Sequence, residues 1–84
     1  MTPAPTPAPS PAPSFRATVT VTATGRVVCM ENVRTMAEAE EVVEPFMREE
    51  DNMAVTLGVG PVTVTVEEMC RGQWVPAWTR TVVP

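Results

Sequence analysis

MAVTLGVGPVTVTV, residues 53–66, sets apolar side chains at every second position on both sides of a Gly58-Val59-Gly60-Pro61 break. Alternation with period two is the mark of a half-buried strand, and a Gly/Pro cluster between two such runs marks a hairpin. Folded at the break, Leu57 faces Val62, Val55 faces Val64 and Met53 faces Val66. Six apolar side chains then share one face, opposite Ala54, Thr56, Thr63 and Thr65.

Downstream, Arg71-Gly72 reads as a second tight turn leading to a strand from Gln73 to about Val82. Counting back from that turn, Trp74 meets Met69 and Trp78 meets Thr65. Both tryptophans then lie opposite the valines, unless a bulge near Glu67-Glu68 corrects the register. Pro76 lacks an N–H and makes this an edge strand.

Upstream lies a helix signal. Thr35-Met36-Ala37-Glu38 matches a capping box, with Thr35 as N-cap and Glu38 reaching back. Met36, Ala39, Val42, Val43, Phe46 and Met47 form an apolar stripe at helical spacing. Pro45 removes one backbone bond and crowds the preceding turn, so a stop or kink is expected near Glu44, with Pro45 to Glu49 as a last turn. Before the helix, Phe15, Ala17, Val19, Val21 and Ala23 alternate with Arg16, Thr18, Thr20, Thr22 and Thr24. A two-residue turn at Gly25-Arg26 would fold this strand back, placing Ala23 opposite Val28 and Val21 opposite Met30.

The elements together predict an α+β domain over residues 15–84: a β-hairpin, one helix, a second β-hairpin and an edge strand. A small mixed sheet with the helix across its apolar face is the natural packing. This order resembles the β-grasp architecture of ubiquitin-like modules. The resemblance is one of topology, so it carries over no functional residue.

Residues 1–14 are a separate, extended Pro/Ala-rich arm. Pro3, Pro5, Pro7, Pro9, Pro11 and Pro13 occupy every second position. Each residue between them precedes a proline and is biased to β or polyproline II geometry. Residues 2–13 so extended span roughly 40 Å at about 3.1 Å each. In a strand, alternate N–H groups point to opposite sides. Thr2, Ala4, Thr6, Ala8, Ser10 and Ala12 therefore keep their donors on one side, and proline has removed those on the other. Such a composition fits a solvated, semi-rigid linker, or an arm that lies along a partner strand or groove while its far edge templates nothing more.

Composition narrows the function. The 84 residues include no histidine, and all six basic residues are arginine. Ser-His and Cys-His nucleophiles, histidine-based metal sites, Schiff bases and a P-loop lysine are thereby excluded. The carboxylate runs Glu40-Glu41, Glu49-Glu50-Asp51 and Glu67-Glu68 read as solvated rather than catalytic. No cofactor is expected, and the chain is not expected to be an enzyme. Charge is divided: residues 31–51 hold eight acidic side chains against Arg34 and Arg48, and the remainder carries four arginines against Glu67 and Glu68. That distribution lacks the basic footprint of a nucleic-acid binder, and no apolar run is long enough to cross a membrane. Cys29 and Cys70, without a secretory signal, read as small half-buried thiols whose pairing depends on strand order. The absence of lysine, isoleucine and tyrosine points to a GC-rich genome.

The expectation is a non-enzymatic structural or assembly protein, cytoplasmic or incorporated in a virion. A phage virion component of capsid-decoration or connector type fits the size and the arm, with protein subunits of its own or another kind as partners and an oligomer as the working form. The expected contact residues are the six arm prolines together with Trp74 and Trp78, since tryptophan is enriched at binding hot spots. The alternative is a soluble regulatory or inhibitory binding module that uses the acidic helix or the tryptophan edge.

Overall fold

The computed structural model describes residues 14–84; all six arm prolines lie outside the described residues. Four strands and two helices follow one another: β1 (Phe15–Val21), β2 (Val27–Val33), α1 (Met36–Met47), α2 (Met53–Leu57), β3 (Val62–Cys70) and β4 (Gln73–Val82). The strands form one sheet in the order β2-β1-β3-β4. All three neighbouring pairs are antiparallel, which corrects the expected mixed sheet. The α+β class stands.

The core is made by strand alternation meeting one helical stripe. Ala17 and Val19 of β1 and Val62, Val64 and Val66 of β3 point to one side and are fully buried. Ala39, Val43 and Phe46 of α1 close over them, with Ala54 of α2 filling the corner. Burying a valine- or phenylalanine-sized side chain contributes about 1.5–3 kcal/mol, so the central strands and α1 hold most of the apolar stabilisation. α1 packs on β1, β2 and β3. At the margin of that core, Trp78 and Val82 of β4 are half-buried, and Val75 is exposed.

The helix start matches its sequence signal. Thr35 Oγ1 accepts a hydrogen bond from the Glu38 backbone N–H at 3.1 Å, and Glu38 Oε2 accepts from the Arg34 N–H at 3.2 Å. The last turn expected after Glu44 is present: α1 runs through Pro45 and ends at Met47, with no stop at Glu44. Proline here forfeits a bond in the last turn only. The Arg48 N–H still donates to the Glu44 carbonyl at 3.2 Å, and buried Phe46 anchors the turn.

The largest correction falls on residues 53–66, where the first half of the expected hairpin is the short helix α2. Its limits are set by caps rather than by alternation. Asn52 Oδ1 accepts from the Ala54 N–H at 2.8 Å, an N-cap. Gly58 is left-handed at φ 68°, and the Val59 N–H donates back to the Ala54 carbonyl at 3.2 Å. The helix turns small Ala54 inward and leaves Val55 and Leu57 exposed, so the apolar alternation of this run is not a core face. Val62, Val64 and Val66 pair instead with Val21, Val19 and Ala17 of β1.

The first hairpin exists with a wider loop than expected. β1 stops at Val21, and the Gly25 N–H donates to the Val21 carbonyl at 2.8 Å. Thr22 is claimed by the other side of the sheet: its N–H donates to the Pro61 carbonyl at 3.0 Å. The two-residue turn at Gly25-Arg26 is therefore replaced by a loop over residues 22–26. Val19 now faces Cys29 and Thr18 faces Met30, and a bulge at Val28 absorbs the mismatch with Thr20–Val27. Met30 consequently lies on the open face of the sheet, 56% exposed.

Candidate functional site

Opposite the helices, the sheet presents an open face built by the polar half of each alternation. Across β1, β3 and β4 run two rows of threonines, Thr18–Thr65–Thr79 and Thr20–Thr63–Thr81. Thr22 and Thr63 hydroxyls hydrogen-bond at 2.9 Å. The next row is charged, with Arg16 opposite Glu67. Arg16 Nε donates to Glu67 Oε1 at 2.9 Å and its Nη2 lies 2.8 Å from the same oxygen. The guanidinium also sits 4.7 Å from the centre of the Trp74 ring. Both charged side chains are largely shielded. The half-buried indole is thus stacked on a fixed cation.

The two tryptophans do not share a surface. Trp74 pairs with Met69 on the open face, as counting from the turn gave. Trp78 pairs with Val66 on the helix side and packs against the core. The cause is a bulge on β4: Glu67 faces Pro76 while Val66 faces Trp78, leaving Ala77 as the extra residue. One inserted residue flips every side chain beyond it. Of the two alternatives, a bulge near Glu67-Glu68 or both tryptophans on the outer face, the register shift at Val66/Glu67 bears out the bulge, with its extra residue on β4 beside the proline. The turn at Arg71-Gly72 has φ of 51° and 80°, as a two-residue hairpin with both central residues left-handed requires.

A second surface was not read from the sequence. At the end of the molecule where β2 begins, Val21, Val27, Val28, Leu57 and Val59 with Arg26 line an open groove of about 340 Å³. Val27 and Leu57 are 54% and 50% exposed. Its signal was hidden, because Leu57 reads as a core residue when 53–57 is taken as a strand. A third groove, along α1, is bordered by Glu40, Glu41 and Glu44, which places part of the acidic helix face in solvent.

The cysteines stand apart. Cys29 is half-buried on β2 and Cys70 is exposed at the end of β3, and both are free. Cys29 lies in the row of Val64, so Cys70 is six residues further along and roughly 20 Å away at 3.3 Å per residue. Burial first, and Glu31 second, push the Cys29 thiol above its ordinary value of 9.0, so it is held as a neutral thiol. No cluster of three metal-ligating side chains occurs among the described residues. No described helix is long and apolar enough to cross a membrane.

Comparison of the chain with known protein families, with curated proteins and with solved structures finds no match.

Proposed function

We propose that this chain is a non-enzymatic assembly protein that acts by packing against neighbouring subunits. The observation that carries the reading is the groove at the β2–α2 end, where Val27 and Leu57 leave half their surface in water beside Val28 and Val59. In a domain whose described core holds nine side chains, all alanine or valine but Phe46, apolar surface of this kind marks a contact site. A small domain also gains stability from association that its own core supplies sparingly.

The arm belongs to the same reading. Its extended, donor-on-one-side pattern suits laying residues 2–13 over an adjacent subunit. Together with the small size and the GC-rich codon bias, this favours a virion component of decoration or connector type.

A second reading, a soluble binding module, is favoured by Trp74. Its indole is fixed by Arg16 on an open face, the preorganisation a single-tryptophan contact needs.

The test is the solution mass by light scattering of the full chain, of a chain lacking residues 2–13, and of Leu57→Asp. The folded body draws its whole buried core from residues 17–66, so removing the arm leaves it intact. An oligomer that dissociates on truncation or on Leu57→Asp supports assembly. A monomer in all three, combined with a heterologous partner whose binding is lost on Trp74→Ala, overturns it in favour of the binding module.

A further inference from the structure

We infer that the arm of one copy adds as a fifth strand to the free edge of β2 in a second copy, and that the exchange is reciprocal. The inference rests on the assembly reading and names its partner and its surface.

The first ground is the period. A groove that reads polyproline II meets every third residue, as in PxxP recognition. Prolines at alternate positions do not fall on one side of a threefold helix. They do fall on one side of a strand, where residue i and i+2 share an edge. In a strand, each residue's N–H and C=O point to the same side. Thr2, Ala4, Thr6, Ala8, Ser10 and Ala12 would thus present complete donor–acceptor pairs to one neighbour. The prolines would cap the outer edge, so that addition stops at one strand.

The second ground is which edge is open. The sheet ends in β2 on one side and β4 on the other. β4 carries Pro76 and the bulge at Ala77, which interrupt any outer ladder. β2, VVCMENV, contains no proline, glycine or lysine, and beyond its bulge at Val28 it is regular from Cys29 to Val33. Those five residues span about 17 Å, well inside the reach of the arm.

The third ground is where the arm starts. Ser14 is already part of the sheet: its N–H donates to the Val33 carbonyl at 3.0 Å, and its carbonyl accepts from Met69 at 2.8 Å. Ser14 itself therefore lies in line with the central strand β1, between β2 and β3. To reach the outer edge of its own β2 the arm would have to reverse direction around the end of that strand. With trans peptide bonds, reversal needs a right-handed helical or a left-handed residue at the second central position of a turn, and the cis-proline turn draws on an isomer found at only about 5–6% of X–Pro bonds in folded proteins. Every non-proline residue from Thr2 to Ala12 precedes a proline, which disfavours the former. None is glycine or asparagine, which disfavours the latter. An arm that runs straight can meet a β2 edge only on another copy.

The test uses full-length chains altered only in the arm, so the folded body is untouched. Ala4→Pro, Ala8→Pro and Ala12→Pro together remove three ladder donors while keeping an extended, proline-rich arm. Pro5→Ala with Pro9→Ala keeps every ladder donor. Mass is read by light scattering, and contacts by isotope-filtered NOEs in a mixture of labelled and unlabelled chains. The expected result is an oligomer with inter-chain NOEs from arm alanine methyls to residues 27–33, with exchange of β2 edge amides slowed at least tenfold. All three are lost in the triple proline variant and kept in the double alanine variant. An oligomer that survives the triple proline substitution, or whose arm contacts lie elsewhere, overturns strand addition and leaves the assembly reading standing. A monomer at NMR concentration overturns the exchange between copies.

Discussion

Asn52 is the one buried polar side chain of the described core, 4% exposed, and it ties three segments together. Its Oδ1 caps α2 at the Ala54 N–H, and its Nδ2 donates to the carbonyls of Phe46 and Arg48, each at 2.9 Å. Asn52→Ala deletes the cap, at a cost of about 1 kcal/mol. It also leaves the buried Phe46 carbonyl without that donor, which costs about 1–3 kcal/mol. The Arg48 carbonyl lies nearer solvent and rehydrates. The sum is about 2–4 kcal/mol, against a total of roughly 3–5 kcal/mol for a domain this small. With a urea slope near 1 kcal/mol/M, tryptophan-monitored unfolding should shift its midpoint down by about 2 M or more. Asn52→Asp keeps the cap but aims a carboxylate at two carbonyl oxygens. That carboxyl titrates above its unfolded value of about 3.9, so the variant is least destabilised at low pH and loses stability as pH rises. An Asn52→Ala protein within about 0.5 kcal/mol of the parent would refute the claim that this side chain joins α1 to α2.

Four other outcomes follow from the same structure. Gly58→Ala meets no atom within 4 Å but keeps φ at 68°. It should cost about 1–2 kcal/mol from backbone conformation alone, read as a lower thermal midpoint without a change in the circular dichroism spectrum. A double-mutant cycle on Arg16→Gln and Trp74→Phe should give a coupling of about 0.5–1 kcal/mol, with zero coupling showing that the ring contact is idle. A thiol reagent should label exposed Cys70 quickly and Cys29 slowly. Because the Cys29 thiol titrates above 9.0 when folded, its contribution to stability is complete below that pH and falls as pH rises beyond it; Cys29→Ala should flatten that alkaline loss in a pH series of urea melts.

Much of the fold is legible in the sequence, and the misreadings share a cause. Strands with one buried face, such as Phe15–Val21 and Val62–Val66, declare themselves by alternation, and Thr35 with Glu38 declares the helix start. Alternation alone fails at Met53–Leu57, where the same spacing occurs in a single helical turn and a half. There the decisive signals were the flanking Asn52 and Gly58, which are local cap chemistry rather than hydrophobic pattern. Register is the other weak point. The wide loop at 22–26 depends on the segment that leads into a third strand, since Thr22 is held by the Pro61 carbonyl from across the sheet; the extra residue at Ala77 sits beside Pro76 on β4. A two-strand count cannot see that competition. The Trp74–Arg16–Glu67 cluster is invisible for the same reason, since it joins residues 51 positions apart through β1–β3 pairing.

That pairing also orders events in time. β1 lies in the middle of the sheet, yet one of its two neighbours is β3, so half of its backbone bonds await residues 62–68. During synthesis the first hairpin and α1 emerge without the valines that bury them. At translation speeds of about 5–20 residues per second, the nascent chain spends a second or more with Ala17 and Val19 in water and an unsatisfied strand edge on offer. The body cannot mature piecemeal from its N-terminus. The sheet is complete only once residues 62–68 pair with β1.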